Sequence, residues 1–83
     1  MPADELEQPL RRVLAQVLSI PLDAVGAELT VKTCATWTSL RHLMLISQLE
    51  TTFGVRFTNQ EIEQLTSYDA IRAAVAEHRP IGD

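Results

Sequence analysis

Thr38-Ser39-Leu40-Arg41-His42-Leu43-Met44-Leu45-Ile46-Ser47-Gln48-Leu49-Glu50-Thr51-Thr52-Phe53-Gly54 is the stretch on which the fold turns. It has no proline or glycine until Gly54, a threonine at its head able to cap a helix, and a glycine where a left-handed residue is needed to end one. The spacing predicts a helix over 39–53, with Thr36 or Thr38 as its cap. At about 100° per residue, Leu45, Ile46, Leu49 and Phe53 gather on one side, and Leu40, Leu43 and Met44 on another. The helix is apolar on two faces, and one of them must be covered by the rest of the chain.

The rest is short. The chain has 83 residues, 46% of them apolar and 22% charged, which is a globular composition sized for one domain, 1–83. Area scaling lets a chain this small bury only about 63% of its unfolded surface. Such a core covers one face of the central helix and leaves the other partly exposed. Burying one Leu or Met is worth about 1.5 to 3 kcal/mol, so Leu40, Leu43 and Met44 imply a partner, or else a patch that is tolerated or covered by a loop.

Working outward, Leu6, Leu10, Val13, Leu14, Val17 and Leu18 recur at helical spacing and predict a first helix over about 5–18. Pro9 is compatible with it if it lies in the first turn, whose donors have no internal partner. Ser19-Ile20-Pro21 closes the helix. From Ser19 to Trp37 neither period is sustained, and Ile20, Leu22, Val25, Leu29 and Val31 are expected to pin an ordered loop over the helix ends, with a short turn near Asp23 to Gly26. Downstream, Thr58 and Glu61 have the spacing of a capping box and open a short helix over 59–65. Thr66-Ser67-Tyr68-Asp69 offers a second cap for a helix over 67–78, carrying Ile71, Ala74, Val75 and His78 before Arg79-Pro80; residues 81–83 are expected to fray. The fold class is all-α: four helices, a long first loop and a short third helix.

The net charge of −4 disfavours a nucleic-acid partner, and the basic face of a helix-turn-helix regulator is missing. One cysteine and two histidines build neither a closed zinc site nor a disulfide, so no metal is expected and Cys34 reads as a free thiol and small core filler. No apolar run reaches the roughly 20 residues of a membrane span, and Met1-Pro2-Ala3-Asp4-Glu5 is acidic where a signal peptide is basic. A cytoplasmic monomer is expected. Trp37 reads as an anchor of the loop, His42 as a residue at the edge of the core, Tyr68 as packing beside the last helix, and His78 as a partner of that helix's final carbonyls. Pairing Ser39 with His42 as nucleophile and base fails, because no acid is placed to orient the imidazole and the chain is too short to enclose a convincing pocket. No enzyme is expected. Ser39 itself has two readings: a plain capping or first-turn serine, or the root of an anionic group favoured by the positive end of the helix.

The segment from Trp37 to Glu50, continued by Phe53-Gly54-Val55-Arg56-Phe57, resembles the phosphopantetheine-attachment region of acyl and peptidyl carrier proteins. Glu61-Ile62 and Leu65-Thr66-Ser67 are similar to the third helix and fourth-helix cap of that family, and the likeness runs from about Val13 to Ala76. It implies a small four-helix bundle of acyl-carrier type, with Ser39 receiving 4′-phosphopantetheine from coenzyme A through a phosphodiester. It implies a discrete carrier that holds an acyl or aminoacyl group as a thioester. The implied partners are a phosphopantetheinyl transferase and a loading ligase, ketosynthase or acyltransferase, docking on Thr38, Leu40, Arg41, Leu43, Met44 and Ser47. The resemblance leaves the cargo open among fatty acid, polyketide, nonribosomal peptide and sugar-linked acyl pathways; Thr38 and the thinned acidic character of the helix favour secondary metabolism over housekeeping fatty-acid synthesis.

Three features depart from the family pattern. Thr38 stands where an aspartate usually precedes the serine. Lys32-Thr33-Cys34-Ala35-Thr36 lacks the usual Asp-Leu-Gly approach. Glu50 is the one carboxylate of a helix that is ordinarily acidic, so docking is expected to rest on shape and apolar contact more than on electrostatic steering. These departures sustain the alternative of a carrier-like interaction module without the prosthetic arm.

Overall fold

Where a helix has no glycine to stop it, some other group must satisfy its last carbonyls, and the first helix shows how this chain does it. A computed structural model describes residues 2–78, with side chains from 7 to 78. The first helix, α1, spans Pro2–Leu18 and ends on Ser19, whose φ of 57° places a serine in the left-handed region. The Ile20 amide turns back to the Ala15 carbonyl (3.0 Å). The Thr36 hydroxyl donates to Leu18 O (2.6 Å) and Arg41 Nη1 to Val17 O (2.8 Å). Three carbonyls at the end of α1 are thus closed by residues from the loop and the next helix.

The α1 start corrects the expectation drawn from Pro9. The helix begins at Pro2, not near residue 5, and Pro9 lies in its interior rather than its first turn. A proline at the opening position is favoured because its missing donor would be unpaired anyway. Pro9 then forgoes one internal bond in a helix whose later turns are held by Leu10, Val13, Leu14 and Leu18, all buried. The expected contribution of Leu6 lies outside the described side chains, as do Arg79-Pro80 and the fraying expected at 81–83.

The loop after α1 is ordered, as expected, by a 3-10 turn at Leu22–Ala24 and by burial of Val25, Leu29, Cys34 and Trp37. Leu22 does not join them; it is 41% exposed, because the turn points it outward. Arg11 of α1 donates from Nε to Val25 O and from Nη2 to Leu22 O, each at 3.1 Å. The loop also pairs with the connection between the last two helices: Val31 N donates to Thr66 O (2.9 Å) and Tyr68 N to Leu29 O (3.0 Å), an antiparallel bridge around Thr30 and Ser67. This bridge is the sole β pairing among the described residues, which contain no strand.

The central helix, α2 (Ser39–Phe53), is capped by Thr38, whose hydroxyl accepts from Arg41 N (3.3 Å). It stops at Gly54, φ 67°. Thr36, the alternative cap, is instead spent on α1. The short helix α3 (Asn59–Gln64) opens with the full capping box: Glu61 N donates to Thr58 Oγ1 (3.1 Å) and Thr58 N to Glu61 Oε1 (2.8 Å). The last helix, α4 (Tyr68–His78), starts one residue after its cap, Ser67, which accepts from Ala70 N (3.1 Å). The helices pack with α1 against α2 and α4. Leu10, Leu14, Leu18, Leu45, Leu49, Ile71 and Val75 are fully buried at the centre.

One side-chain expectation is revised. His78 does not turn to the final carbonyls of α4; its Nε2 meets Glu61 Oε2 (2.6 Å) and its ring stands edge-on to Phe57. The capping-box glutamate therefore joins α3 to α4. Tyr68 packs inside, 5% exposed, with its hydroxyl unpartnered among the described residues.

Candidate functional site

The site lies where α1 ends and α2 begins. Ser39 is the first residue of α2 and is exposed. Thr38, Leu40, Leu43, Met44 and Ser47 are exposed as well, with Leu40 at 68%, Leu43 at 61% and Met44 at 50%. The opposite face of the same helix is sealed: Leu45 and Leu49 are at 0% and Ile46 at 4%. The two-sided reading of α2 therefore holds, and three large apolar side chains beside Ser39 stand in solvent.

Arg41 behaves differently from the other residues expected in the docking group. Half-buried, it reaches back over the end of α1, donating from Nη1 to Val17 O and to Ser19 Oγ (2.9 Å). No carboxylate lies within ion-pair distance of it among the described residues. Its guanidinium thus braces the α1–α2 corner and leaves a positive charge two residues from Ser39. Glu50, the lone carboxylate of α2, is also turned inward, accepting from Phe57 N (3.0 Å). The exposed face of α2 near Ser39 therefore carries no carboxylate.

Two clefts flank the head of α2. One, of about 390 Å³, is lined by Val31, Trp37, Thr38, Ser39, His42, Leu43, Glu63 and Thr66. The other, of about 540 Å³, is lined by Gln16, Val17, Ser19, Thr38, Leu40, Arg41, Met44 and Gln48. A larger depression of about 800 Å³ runs along the loop past Cys34 and does not include Ser39. Ser39 and the apolar residues place the first two clefts, rather than this wider depression, at the site. Cys34 is buried and lies 3.3 Å from Thr36 Oγ1, consistent with a core filler.

Beneath Ser39 runs a chain of hydrogen bonds that sequence periodicity did not disclose. Trp37, 4% exposed, donates from its indole Nε1 to His42 Nδ1 (3.0 Å), and His42 Nε2 meets Ile62 O (2.8 Å). An indole nitrogen only donates and a carbonyl only accepts, so the imidazole is neutral with its proton on Nε2. Both ring nitrogens are engaged, and no hydrogen bond joins His42 to Ser39 among the described residues. The nucleophile–base pairing is not formed. The signal that could have revealed the chain was the five-residue gap between Trp37 and His42 across a helix cap.

Among the described residues no group of three or more His, Cys, Asp or Glu could hold a metal, and no helix is long and apolar enough to cross a membrane. The described residues define a small all-helical protein, with four α-helices among them and a solvent-facing serine at the head of the second. Neither a scan against protein-family models nor a search of the curated proteins returns a match for the chain.

Proposed function

We propose that this chain is an acyl or aminoacyl carrier of the acyl and peptidyl carrier protein type, with 4′-phosphopantetheine attached to Ser39. The observation that carries the reading is the exposure of Ser39 at the start of a helix that also exposes Leu40, Leu43 and Met44. A carrier needs its arm rooted outside the core and an adjacent surface by which partner enzymes find it.

The residues present fit the group. Attachment forms a bond from Ser39 Oγ to the phosphorus of the pantetheine phosphate of coenzyme A; the pyrophosphate bond breaks, the nucleotide part leaves, and the serine proton is lost. The product phosphodiester carries one negative charge beside the first amides of α2, where a helix end favours an anion. When bound, the arm supplies a thiol that carries the cargo as a thioester. The chain's own part is to fix the root: Thr38 caps α2, while Arg41 braces it to α1. Leu40, Leu43, Met44 and Ser47 offer the phosphopantetheinyl transferase, and the loading ligase, ketosynthase or acyltransferase, an uncharged face. Holding the cargo near each docked enzyme raises its effective concentration.

Incubation with coenzyme A and a permissive phosphopantetheinyl transferase tests the reading by intact mass. Wild type is expected to gain one arm and Ser39→Ala none; equal labelling of both refutes the assignment. Thr38 favours a second reading, an arm-less interaction module using the same apolar face, because it supplies no carboxylate beside the serine. A chain that takes no arm from any transferase would support it.

A further inference from the structure

The Trp37–His42–Ile62 chain joins three parts of the molecule: the end of the long loop, the second turn of α2, and α3. Trp37, Ser39 and His42 all line the same cleft of about 390 Å³. The connection depends on a single protonation state. With Nε2 donating to Ile62 O, the imidazole accepts from the Trp37 indole only while Nδ1 is bare. A proton on Nδ1 turns that acceptor into a donor facing another donor, while the bond to Ile62 is unaffected.

We propose that Trp37, His42 and Ile62 form a pH-responsive latch beside Ser39: protonation of His42 at Nδ1 releases the Trp37 indole and loosens the loop wall of the cleft, while α3 stays tied to α2. Replacing a made bond by two opposed, part-buried donors removes the hydrogen bond and leaves the indole N–H without its partner at a 4% exposed residue. That cost falls on the loop, because the other bond of the imidazole is kept. Among the described residues His42 is the one hydrogen-bond partner of the indole. From α3, Glu63 lines the cleft and Glu61 is held by His78 of α4. From the loop come exposed Lys32 and buried Cys34, and on α2 itself Arg41 is turned to α1. The latch rests on hydrogen bonds between the chain's own groups and holds whether or not Ser39 carries an arm.

Trp37 is the sole tryptophan, so its emission reports the latch directly. The unmodified full chain is titrated from about pH 8 to 5, recording Trp37 emission, the indole N–H resonance, the imidazole nitrogen resonances and the far-UV helical signal. At the upper end His42 is expected to have a bare Nδ1 and a protonated Nε2. As the pH falls, the indole resonance and the emission should shift in one step coincident with the titration of His42, with helical signal retained. His42→Gln should lose the step, while Glu63→Gln and His78→Gln keep it. A proton found on Nδ1 at the upper end overturns the proposal, a reading that needs no variant to fold. So does a flat indole resonance while His42 titrates, or a step that survives in His42→Gln.

Discussion

Leu49 and Leu43 lie on one helix six residues apart, yet truncating them should give very unequal losses of stability. Leu49 is at 0% exposure, so Leu49→Ala loses the transfer energy of about three carbons, roughly 2.4 kcal/mol, plus a cavity term that brings buried Leu→Ala changes to about 2.7–5 kcal/mol. Leu43 is 61% exposed, so about two fifths of that transfer energy, roughly 1 kcal/mol, is at stake. Alanine's better helix propensity returns a few tenths, approximately 0.2 kcal/mol. A domain of this size holds roughly 4–12 kcal/mol in all, which makes the first change severe and the second slight. The assay is urea unfolding followed by Trp37 fluorescence. With a slope of about 1 kcal/mol/M, the midpoint of Leu49→Ala should fall by about 3 M or more and that of Leu43→Ala by less than about 1 M. Equal losses at the two positions would refute the two-faced reading of α2 and with it the free apolar surface beside Ser39.

Three further outcomes follow from single contacts. Thr38→Asp keeps an acceptor for Arg41 N and adds a negative charge at the positive end of α2, so stability should rise by about 0.5 kcal/mol and loading of Ser39 by a standard transferase should quicken; an unchanged or slower mass gain shows that Thr38 is no handicap. Ser19→Val places a β-branched residue at φ 57° and removes the hydroxyl that accepts from Arg41, costing about 2 kcal/mol, whereas Ser19→Gly, which relieves the torsion, should lie within about 0.5 kcal/mol of wild type in the same urea assay. The Glu61 carboxyl is held below its ordinary 4.5, first by the Thr58 amide it accepts from and then by His78. Since its folded value is depressed, its contribution is complete above that ordinary value and is lost as the pH falls through the folded one. The urea midpoints of wild type and Glu61→Gln should therefore converge as the solution is acidified below about pH 4.5, and a constant gap would contradict this.

What could be read from the sequence were the features that local chemistry decides. A cap, a glycine and a 3.6-residue period placed α2 within a residue at each end, and the Thr58–Glu61 box placed α3 the same way. The exposed trio on α2 followed from counting how little chain was left to cover it. Features that depend on distant partners were not legible. Ser19 stops α1 in a left-handed conformation that serine does not announce, and the groups that close that end, Thr36 and Arg41, come from well beyond it. The loop owes its order to a bridge with the α3–α4 connection, and a pairing between irregular segments has no period to detect. His78 found Glu61 rather than carbonyls of its own helix because α3 brings a carboxylate within reach. Trp37 was expected to anchor the loop and does so, but that it anchors through the imidazole of His42 is a consequence of packing.

The most direct trial of the carrier reading is the intact mass of the protein purified from its own cells, with fragmentation to locate any added group. A single phosphopantetheine increment, free or cargo-laden, mapped to Ser39 is the expected result. A wholly unmodified chain, or an increment mapped to any other residue, would contradict it.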